Sequence, residues 1–253
     1  MSSDDNCRDT ATRVFTLVRL FDKLEYAQSF RAGQLRMQRI SYFRNYKDAG
    51  GELRGDPYEG VFGILQPSEF KSIKIKGKEI AGSQLVGPVR MYLEEEQSDS
   101  ILCFWALTNA GFETAKFEGI EAMKGAIQLQ RKCYGLGAHL LYFTNAEAFV
   151  QRFADAVKRV GLTHARDLVK YYKVEEMSGF FPAETAPFRK RETYEHQREY
   201  RFVVHTPPGA AQPFILDVGD LSDICEIVAA DGFNDGLTLE HEDRPKAGSP
   251  PSA

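Results

Sequence analysis

The stretch Tyr194-Glu195-His196-Gln197-Arg198-Glu199-Tyr200-Arg201-Phe202-Val203-Val204 decides the fold. In an extended strand, successive side chains alternate between two faces. One face carries the apolar side chains of Tyr200, Phe202 and Val204. The other carries the polar side chains of Gln197, Glu199 and Arg201. The first face predicts a contact with the hydrophobic core. The second predicts a water-filled cleft or a bound partner, because buried polar groups require partners.

The composition sets broad limits on the class of protein. The 253 residues are 43% hydrophobic and 12% aromatic, enough for one large domain or a domain with insertions. The net charge of −4 does not by itself indicate a nucleic-acid or anionic-membrane partner. The first residues, Met-Ser-Ser-Asp-Asp-Asn, predict no signal peptide, and no apolar run approaches the roughly 18 residues of a membrane span. We therefore expect a cytoplasmic protein with no membrane partner.

Cysteine and histidine spacing gives no support for a metal site. The four cysteines include no Cys-x-x-Cys pair, and the five histidines include no His-x-x-x-His pair. The glycine-rich loops that bind nucleotide phosphates and the Gly-x-Ser-x-Gly pattern of serine hydrolases are also absent. We therefore expect no metal ligands.

Arg19 is the first candidate functional residue along the chain. Residues 14–21, Val-Phe-Thr-Leu-Val-Arg-Leu-Phe, predict a strand because branched and aromatic side chains dominate. Arg19 shares one face of this strand with apolar residues. A guanidinium there requires a cleft or an anion, or else a half-solvated position beside a carboxylate.

A short helix and a second strand are predicted next. Asp22 and Glu25 form a capping-box pattern at the helix start, and Gly33 ends the helix. Residues 35–43 predict a strand with Ser41 and Tyr42 near its end.

The segment 44–60 predicts a long loop, because tandem glycines and Asp56-Pro57 indicate turns. Its aromatic and charged residues suit a flap over a ligand, and a solvated surface loop is an equal alternative. The candidate ligand contacts at this end of the chain are Ser41, Tyr42, Phe43, Arg44, Asp56 and Tyr58.

The rest of the chain predicts more strands and two helices. Residues 71–80 alternate lysine and isoleucine around Gly77, which predicts an edge hairpin. A capping-box pattern starts a helix at Thr144, and a short helix is predicted from Thr163. Further strands are predicted over residues 85–93, 100–107, 126–129, 138–143, 214–218 and 224–229.

These elements together predict an α+β fold with mixed, mainly antiparallel sheets and flanking helices. A single domain is expected over residues 13–236, with an insertion at about 61–98. The N-terminal residues 1–12 and the tail 237–253 are expected to be disordered.

The order of three elements resembles the ADP-ribosyltransferase superfamily, including its bacterial toxin and phage-defence branches. The first part is strand, arginine, helix, glycine and strand, seen as Leu17-Val18-Arg19-Leu20, a helix over residues 22–31, and Gly33-Gln34-Leu35-Arg36-Met37. The second part is Gln197-Arg198-Glu199. The chain departs from the family in lacking the Ser-Thr-Ser form of the serine motif, and the long interval from Ser41 to Glu199 requires insertions.

This resemblance implies a core of that superfamily's type, NAD as substrate and a role for each matched residue. Arg19 would hold NAD, and Ser41 or Tyr42 would support the nicotinamide side. Glu199 would stabilise the oxocarbenium-like ribose as nicotinamide leaves, and Gln197 would orient the acceptor. The acceptor would be a nucleic acid or a protein, with an antitoxin or defence-system component as a further partner.

The chain also looks like an uncharacterised bacterial family over roughly residues 15–230. That family shares an early Asp-Pro loop, a central Cys-Phe strand and a late Glu-x-Glu-Tyr-Arg strand. The corresponding residues are Asp56-Pro57, Cys103-Phe104 and Glu199-Tyr200-Arg201. This similarity implies no particular activity.

Two other functions remain open at this point. One is a non-catalytic nucleotide-binding or sensor module of a defence system, to which the departure in the serine motif points. The other is a metal-dependent nuclease or a glycosidase-like enzyme, with Asp56, Glu59 and Glu199 as its acidic groups.

Overall fold

The computed structural model describes residues 14–48, 54–94, 98–108, 124–125, 127–210 and 212–238. The expected disordered N-terminus at 1–12 lies outside these residues, as does all of the predicted tail beyond residue 238.

The described residues contain fifteen β-strands and several helices. The strands, in chain order, are β1 Val14–Phe21, β2 Gln34–Arg39, β3 Gly63–Leu65, β4 Ser72–Ile75, β5 Lys78–Ala81, β6 Val89–Met91, β7 Ser100–Thr108, β8 His139–Phe143, β9 His164–Leu168, β10 Lys170–Tyr172, β11 Gly179–Phe180, β12 Arg189–Arg191, β13 Glu199–Val204, β14 Phe214–Asp217 and β15 Cys225–Ala229. The α-helices that position the site are α1 Leu24–Arg31, α2 Ile40–Asn45 and α3 Ala146–Arg159. The described strand pairs are antiparallel, except that β10 pairs with β12 in parallel. The α+β class with mainly antiparallel sheets is therefore confirmed.

The main sheet is built around β7 and is split along one edge of that strand. Its order is β14-β2-β7-β1-β8-β15, and β13 pairs with both β7 and β9. β13 covers one edge of β7, so β1 and β2 must share the opposite edge. β2 pairs with β7 at Ile101, whereas β1 pairs with it from Trp105 onward. Cys103 lies between these two pairings, at the position where β1 and β2 separate.

The largest hydrophobic cluster lies on the face of this sheet that α1 and α3 cover. Phe104 of β7 packs against Phe149 of α3 and Phe202 of β13, with ring centroids 5.4 and 5.7 Å apart. Phe30 of α1 meets Phe104 edge-on at 6.0 Å. The apolar face predicted for the late strand is confirmed, because Phe202 and Val204 are fully buried in this cluster.

The described residues of the predicted insertion, 61–94 and 98, include strands that form small sheets apart from the main one. β3 lies between β6 and β11, and among the described strands β4 pairs only with β5. The turn between β4 and β5 has positive φ at Lys76 (48°) and Gly77 (79°), as the tight two-residue turns of hairpins require. The predicted hairpin at Gly77 is therefore confirmed.

The prediction of a strand over 35–43 is wrong beyond Arg39. Arg39 pairs with Ser100, the first residue of β7, and the pairing ends after one further hydrogen bond, from the Ile40 N–H to the Asp99 carbonyl at 3.0 Å. The chain turns into α2, which places Ser41 and Tyr42 on a helix.

The predicted helix from Thr163 is also wrong, because its residues form β9 and β10. The free edge of β13 provides β9 with a complete antiparallel ladder, and this pairing overrides the local spacing of apolar residues.

The opening stretch itself is extended only from Glu199 onward. A 3-10 turn spans Glu192–Gln197, and Arg198 has a left-handed conformation with φ of 39°. Gln197 therefore precedes the strand rather than belonging to it.

Three local predictions also require correction. Helix α1 begins at Leu24 with Lys23 as its cap, and Asp22 instead bonds Arg54 at 2.9 Å. Helix α3 is capped by Asn145 rather than by Thr144, since its side chain accepts from the Ala148 N–H. The described residues among 126–129 are not assigned to a strand.

Replacing Phe104 with alanine should lower the free energy of unfolding by about 3–5 kcal/mol, because a buried aromatic ring is lost and a cavity remains. Urea denaturation measures this difference. Phe15 is 58% exposed on β1 and provides the control, for which Phe15→Ala should change stability by about 0.5 kcal/mol or less. Equal effects of the two substitutions would contradict the central position of Phe104.

Candidate functional site

A cavity of about 150 Å³ lies beside the split in the main sheet. Residues of β1, β2, β7 and β13 line it, together with Lys190 of β12. Its charged side chains are Arg19, Arg36, Arg54, Glu59, Lys190, Glu199 and Arg201. The structure therefore places Arg19 and Glu199, the first and the last of the predicted site residues along the chain, at one cavity.

Arg19 binds the edge of β7 at the position where β1 and β2 separate. Its Nη1 donates to the carbonyl oxygen of Cys103 at 2.5 Å. Its guanidinium carbon lies 5.6–5.8 Å from the ring centroids of Phe21, Phe30 and Phe104. Burial lowers the pKa of Arg19 to about 10, so the group remains a cation at neutral pH. Arg19 is partly exposed, and among the described residues it forms no salt bridge with a carboxylate; its partner is the Cys103 carbonyl instead.

Glu199 is buried and bound by two cations. Its Oε1 accepts a short hydrogen bond from Lys190 Nζ, and its Oε2 accepts from Arg201 Nη2 at 2.8 Å. Burial alone would raise the pKa of the Glu199 carboxyl. Attraction to Lys190 and Arg201 outweighs this effect and lowers that pKa to about 2. Glu199 is therefore an ionised carboxylate at neutral pH.

The network extends to a second carboxylate and an amide. Arg201 Nη1 donates to Glu59 Oε1 at 2.5 Å and also to the carbonyl of Pro187. Lys190 Nζ donates to Gln197 Oε1 at 2.7 Å. Burial raises the pKa of Glu59 despite its pairing with Arg201, in contrast to Glu199, which has two cations in direct contact. We call Glu59, Lys190, Glu199 and Arg201 the charge network.

The cavity is suited to a ligand that is anionic or rich in hydrogen-bond acceptors. Five cationic and two anionic side chains line it. Among the described residues, Arg19 Nε, Trp105 Nε1 and Arg201 Nε are buried without a hydrogen-bond partner, and all three residues belong to the cavity lining. A buried donor without an acceptor costs about 1–3 kcal/mol. A ligand with acceptor oxygens that reached these donors would recover that free energy.

The Asp-Pro loop packs beside the charge network and contributes Glu59 to the cavity. Asp56 is fully buried, and its Oδ1 accepts from Arg191 Nε at 2.7 Å. The Tyr58 ring lies under Arg90 and Arg191, with the guanidinium carbons 4.8 and 5.3 Å from its centroid. Asp56 and Tyr58 are not among the described residues that line the cavity.

The short helix α2 separates the remaining candidates. Phe43 lines the cavity, whereas Ser41 and Tyr42 line a different cleft. Arg44 bonds the Glu59 carbonyl at 3.1 Å and stacks on Tyr92 at 3.8 Å. Of the predicted contacts at this end of the chain, only Arg19 and Phe43 are found at the cavity with Gln197 and Glu199.

No group of three or more metal-ligating side chains occurs among the described residues. The acidic groups Asp56, Glu59 and Glu199 each pair with arginine or lysine instead. Cys103 also lines the cavity, but burial raises the pKa of its thiol to about 12. The thiol is therefore protonated at neutral pH and poorly nucleophilic.

Sequence reasoning missed two partners at the centre of the site. In the sequence, Lys190 is one member of the basic run Arg189-Lys190-Arg191, and Glu59 was named only as an acidic group of the nuclease or glycosidase alternative. The only available signal was compositional. A basic run shortly before the strand that carries Glu199 indicates charge pairing, but it does not say which side chain is buried.

Comparison with protein-family models, curated proteins and solved structures found no match to this chain. Within the part of the chain that the structure describes, no helix has the length and hydrophobicity that crossing a membrane requires.

The charge network should make stability depend on pH in the acid range. The lowered pKa of Glu199 means that its stabilising contribution is complete above the unfolded value of 4.5 and is lost as pH falls towards about 2. The difference in unfolding free energy between wild type and Glu199→Gln should therefore shrink by about 2 kcal/mol between pH 7 and pH 3. Urea titrations at a series of pH values measure it. A difference that is constant with pH would contradict the assignment of Glu199 as ionised and paired.

Proposed function

We propose that the protein is an NAD-dependent ADP-ribosyltransferase with its catalytic centre in the cavity between Arg19 and Glu199. The observation that carries this proposal is that both residues line one basic cavity, although they lie far apart in the sequence. The proposal extends to an ADP-ribosyltransferase-like core and to a bacterial toxin or anti-phage defence effector in the cytoplasm.

The size and charge of the cavity support binding of one end of NAD. A volume of 150 Å³ accommodates about one benzene-sized ring, which fits nicotinamide but not the whole dinucleotide. The remaining ribose and phosphates would lie outside the enclosed part. Arg36 lines the cavity with an exposed side chain, so its guanidinium suits a phosphate there.

The chemistry assigned to Glu199 is electrostatic. The bond between ribose C1′ and the nicotinamide nitrogen breaks, and its electron pair leaves with neutral nicotinamide. The positive charge that develops on the ribose is stabilised by a fixed carboxylate. The acceptor then donates an electron pair to C1′ and releases its proton to solvent. With a pKa of about 2, Glu199 suits charge stabilisation and is a poor proton acceptor.

A second candidate function is a nucleotide-binding or sensor module without catalysis. Glu199 already contacts two cations, which reduces the charge it can offer to a developing cation. Ser41 and Tyr42 also lie outside the cavity lining. A module of this kind would bind NAD or a related nucleotide and leave it intact. The nuclease alternative has no comparable support among the described residues.

Incubation of the protein with NAD, followed by chromatography of released nicotinamide, tests the proposal. Glu199→Gln should reduce the rate by about 10²-fold or more, because one electrostatic contact to the transition state is lost. Asp56→Asn is the matched control. It also breaks a buried carboxylate–arginine pair, but Asp56 is not among the described cavity residues. It should lower stability and leave the rate per folded molecule within a few-fold of wild type.

Three outcomes separate the candidates. Nicotinamide release that depends on Glu199 supports the transferase. A rise in melting temperature with NAD but no nicotinamide release supports the sensor module and contradicts catalysis. Equal rates for wild type and Glu199→Gln contradict the catalytic role of Glu199.

A further inference from the structure

The cleft on the other side of α2 has a chemical character of its own. Its volume is about 670 Å³, and Ser41 and Tyr42 lie in its lining. Gln38 of β2 lines both this cleft and the cavity that contains Glu199, so the two are neighbours. We call it the α2 cleft.

The charged side chains of the α2 cleft are all cationic. Arg39 and Lys47 line it, and no carboxylate is among its described lining residues. The amides of Gln38, Asn45 and Gln212 lie in the same lining. Two cations favour an anionic ligand, and amide groups pair with the donors and acceptors on nucleobase edges.

Tyr42 provides an exposed aromatic ring at this cleft. Its side chain is 43% exposed, yet the ring is held by two neighbours. Phe43 packs edge-on against it at 5.4 Å, and Tyr46 lies at 5.5 Å with the ring planes tilted by 40°. An exposed ring in a fixed position is a platform on which an unpaired base stacks.

Arg39 has a donor without a partner among the residues that the structure describes. Its Nη2 donates to the Ala210 carbonyl at 2.9 Å, which fixes the guanidinium. Its Nε is buried without a hydrogen-bond partner among the described residues. A fixed guanidinium with an unused donor suits an acceptor oxygen of a bound anion.

The cleft is open in a way that suits a strand better than a single nucleotide. Tyr42, Asn45 and Lys47 are all exposed. Sites for small molecules usually enclose 70–90% of the ligand surface, which this lining does not do. A single strand needs only one face covered, with bases on aromatic rings and phosphates beside cations.

We propose that the α2 cleft binds single-stranded nucleic acid, with a base stacked on Tyr42 and phosphates beside Arg39 and Lys47. Through Gln38 the bound strand would lie next to the cavity that contains Glu199. In naming this strand as the acceptor, the inference rests on the proposed transferase function. The binding itself does not depend on that function.

Fluorescence anisotropy with labelled oligodeoxythymidylate and oligouridylate of roughly twelve nucleotides tests this site. Tyr42→Ala should weaken binding about 5- to 150-fold, because one base loses its stacking partner. Tyr42→Phe should retain the affinity. Tyr26→Ala is the matched control, since Tyr26 is a tyrosine of α1 with 51% exposure and lies outside the cleft.

The salt dependence provides a second, independent measurement. Lys47→Ala should reduce the slope of log affinity against log salt by about 0.7, the value for one phosphate contact on a single strand. Lys158→Ala, an exposed lysine of α3, should leave the slope unchanged.

Absence of oligonucleotide binding, or equal affinity of wild type and Tyr42→Ala, would overturn the proposal. Competition by AMP at the same concentration as the oligonucleotide would also overturn it, because the cleft would then be a mononucleotide site. Oligonucleotide binding without nicotinamide release would support the nucleic-acid site in the α2 cleft and would contradict only the transferase proposal. Nicotinamide release without oligonucleotide binding would support the transferase proposal and would contradict the nucleic-acid site in the α2 cleft.

Discussion

The pairing of the Glu199 carboxylate with Lys190 and Arg201 is the interaction on which the site depends. Lys190, Glu199 and Arg201 are each at most 5% exposed, and Glu59 is 1% exposed. Transfer of an ion from water into the protein interior costs several kcal/mol. Every charged side chain of this network therefore requires its partner. Loss of one partner typically costs 3–5 kcal/mol, whereas the intact network adds little net stability. Its effect is to fix β12, β13 and the Asp-Pro loop relative to one another. It also keeps Glu199 ionised inside the protein.

The cavity beside the split edge of β7 is lined by all four residues of the charge network. β1 and β2 separate at Cys103, and Arg19 uses the Cys103 carbonyl as its acceptor there. The carboxyl groups of Glu59 and Glu199 pair with Lys190 and Arg201. Arg54 pairs with Asp22, so Arg19 and the exposed Arg36 are left to give the cavity a positive character. This pairing explains why the site suits an anionic nucleotide even though the whole chain has a net charge of −4.

Local sequence patterns predicted the elements that local physics determines. The first strand, with its apolar run and Arg19, extends over Val14–Phe21 as predicted, and the nearly continuous apolar run at 100–107 is the buried central strand β7. Predictions failed where a distant segment decides the outcome. Residues 40–45 are helical from the position where the pairing of β2 with β7 ends, and residues 164–168 form a strand because β13 had a free edge. The same limit applies to the site. Gln197, Glu199 and Arg201 were identified from alternation, but their pairing with Lys190 and Glu59 depends on tertiary packing that no local pattern contains.

Carboxyl ¹³C NMR of Glu199 during an NAD titration at pH 7 tests the central claim most directly. The Glu199→Gln variant assigns the signal. Glu226, an exposed residue of β15 that accepts a hydrogen bond from the Tyr142 hydroxyl, serves as the reference. If the cavity between Arg19 and Glu199 binds NAD, the Glu199 signal shifts and saturates while the Glu226 signal stays constant. If NAD leaves the Glu199 signal unchanged at saturating concentration, the cavity is not an NAD site and the account is contradicted.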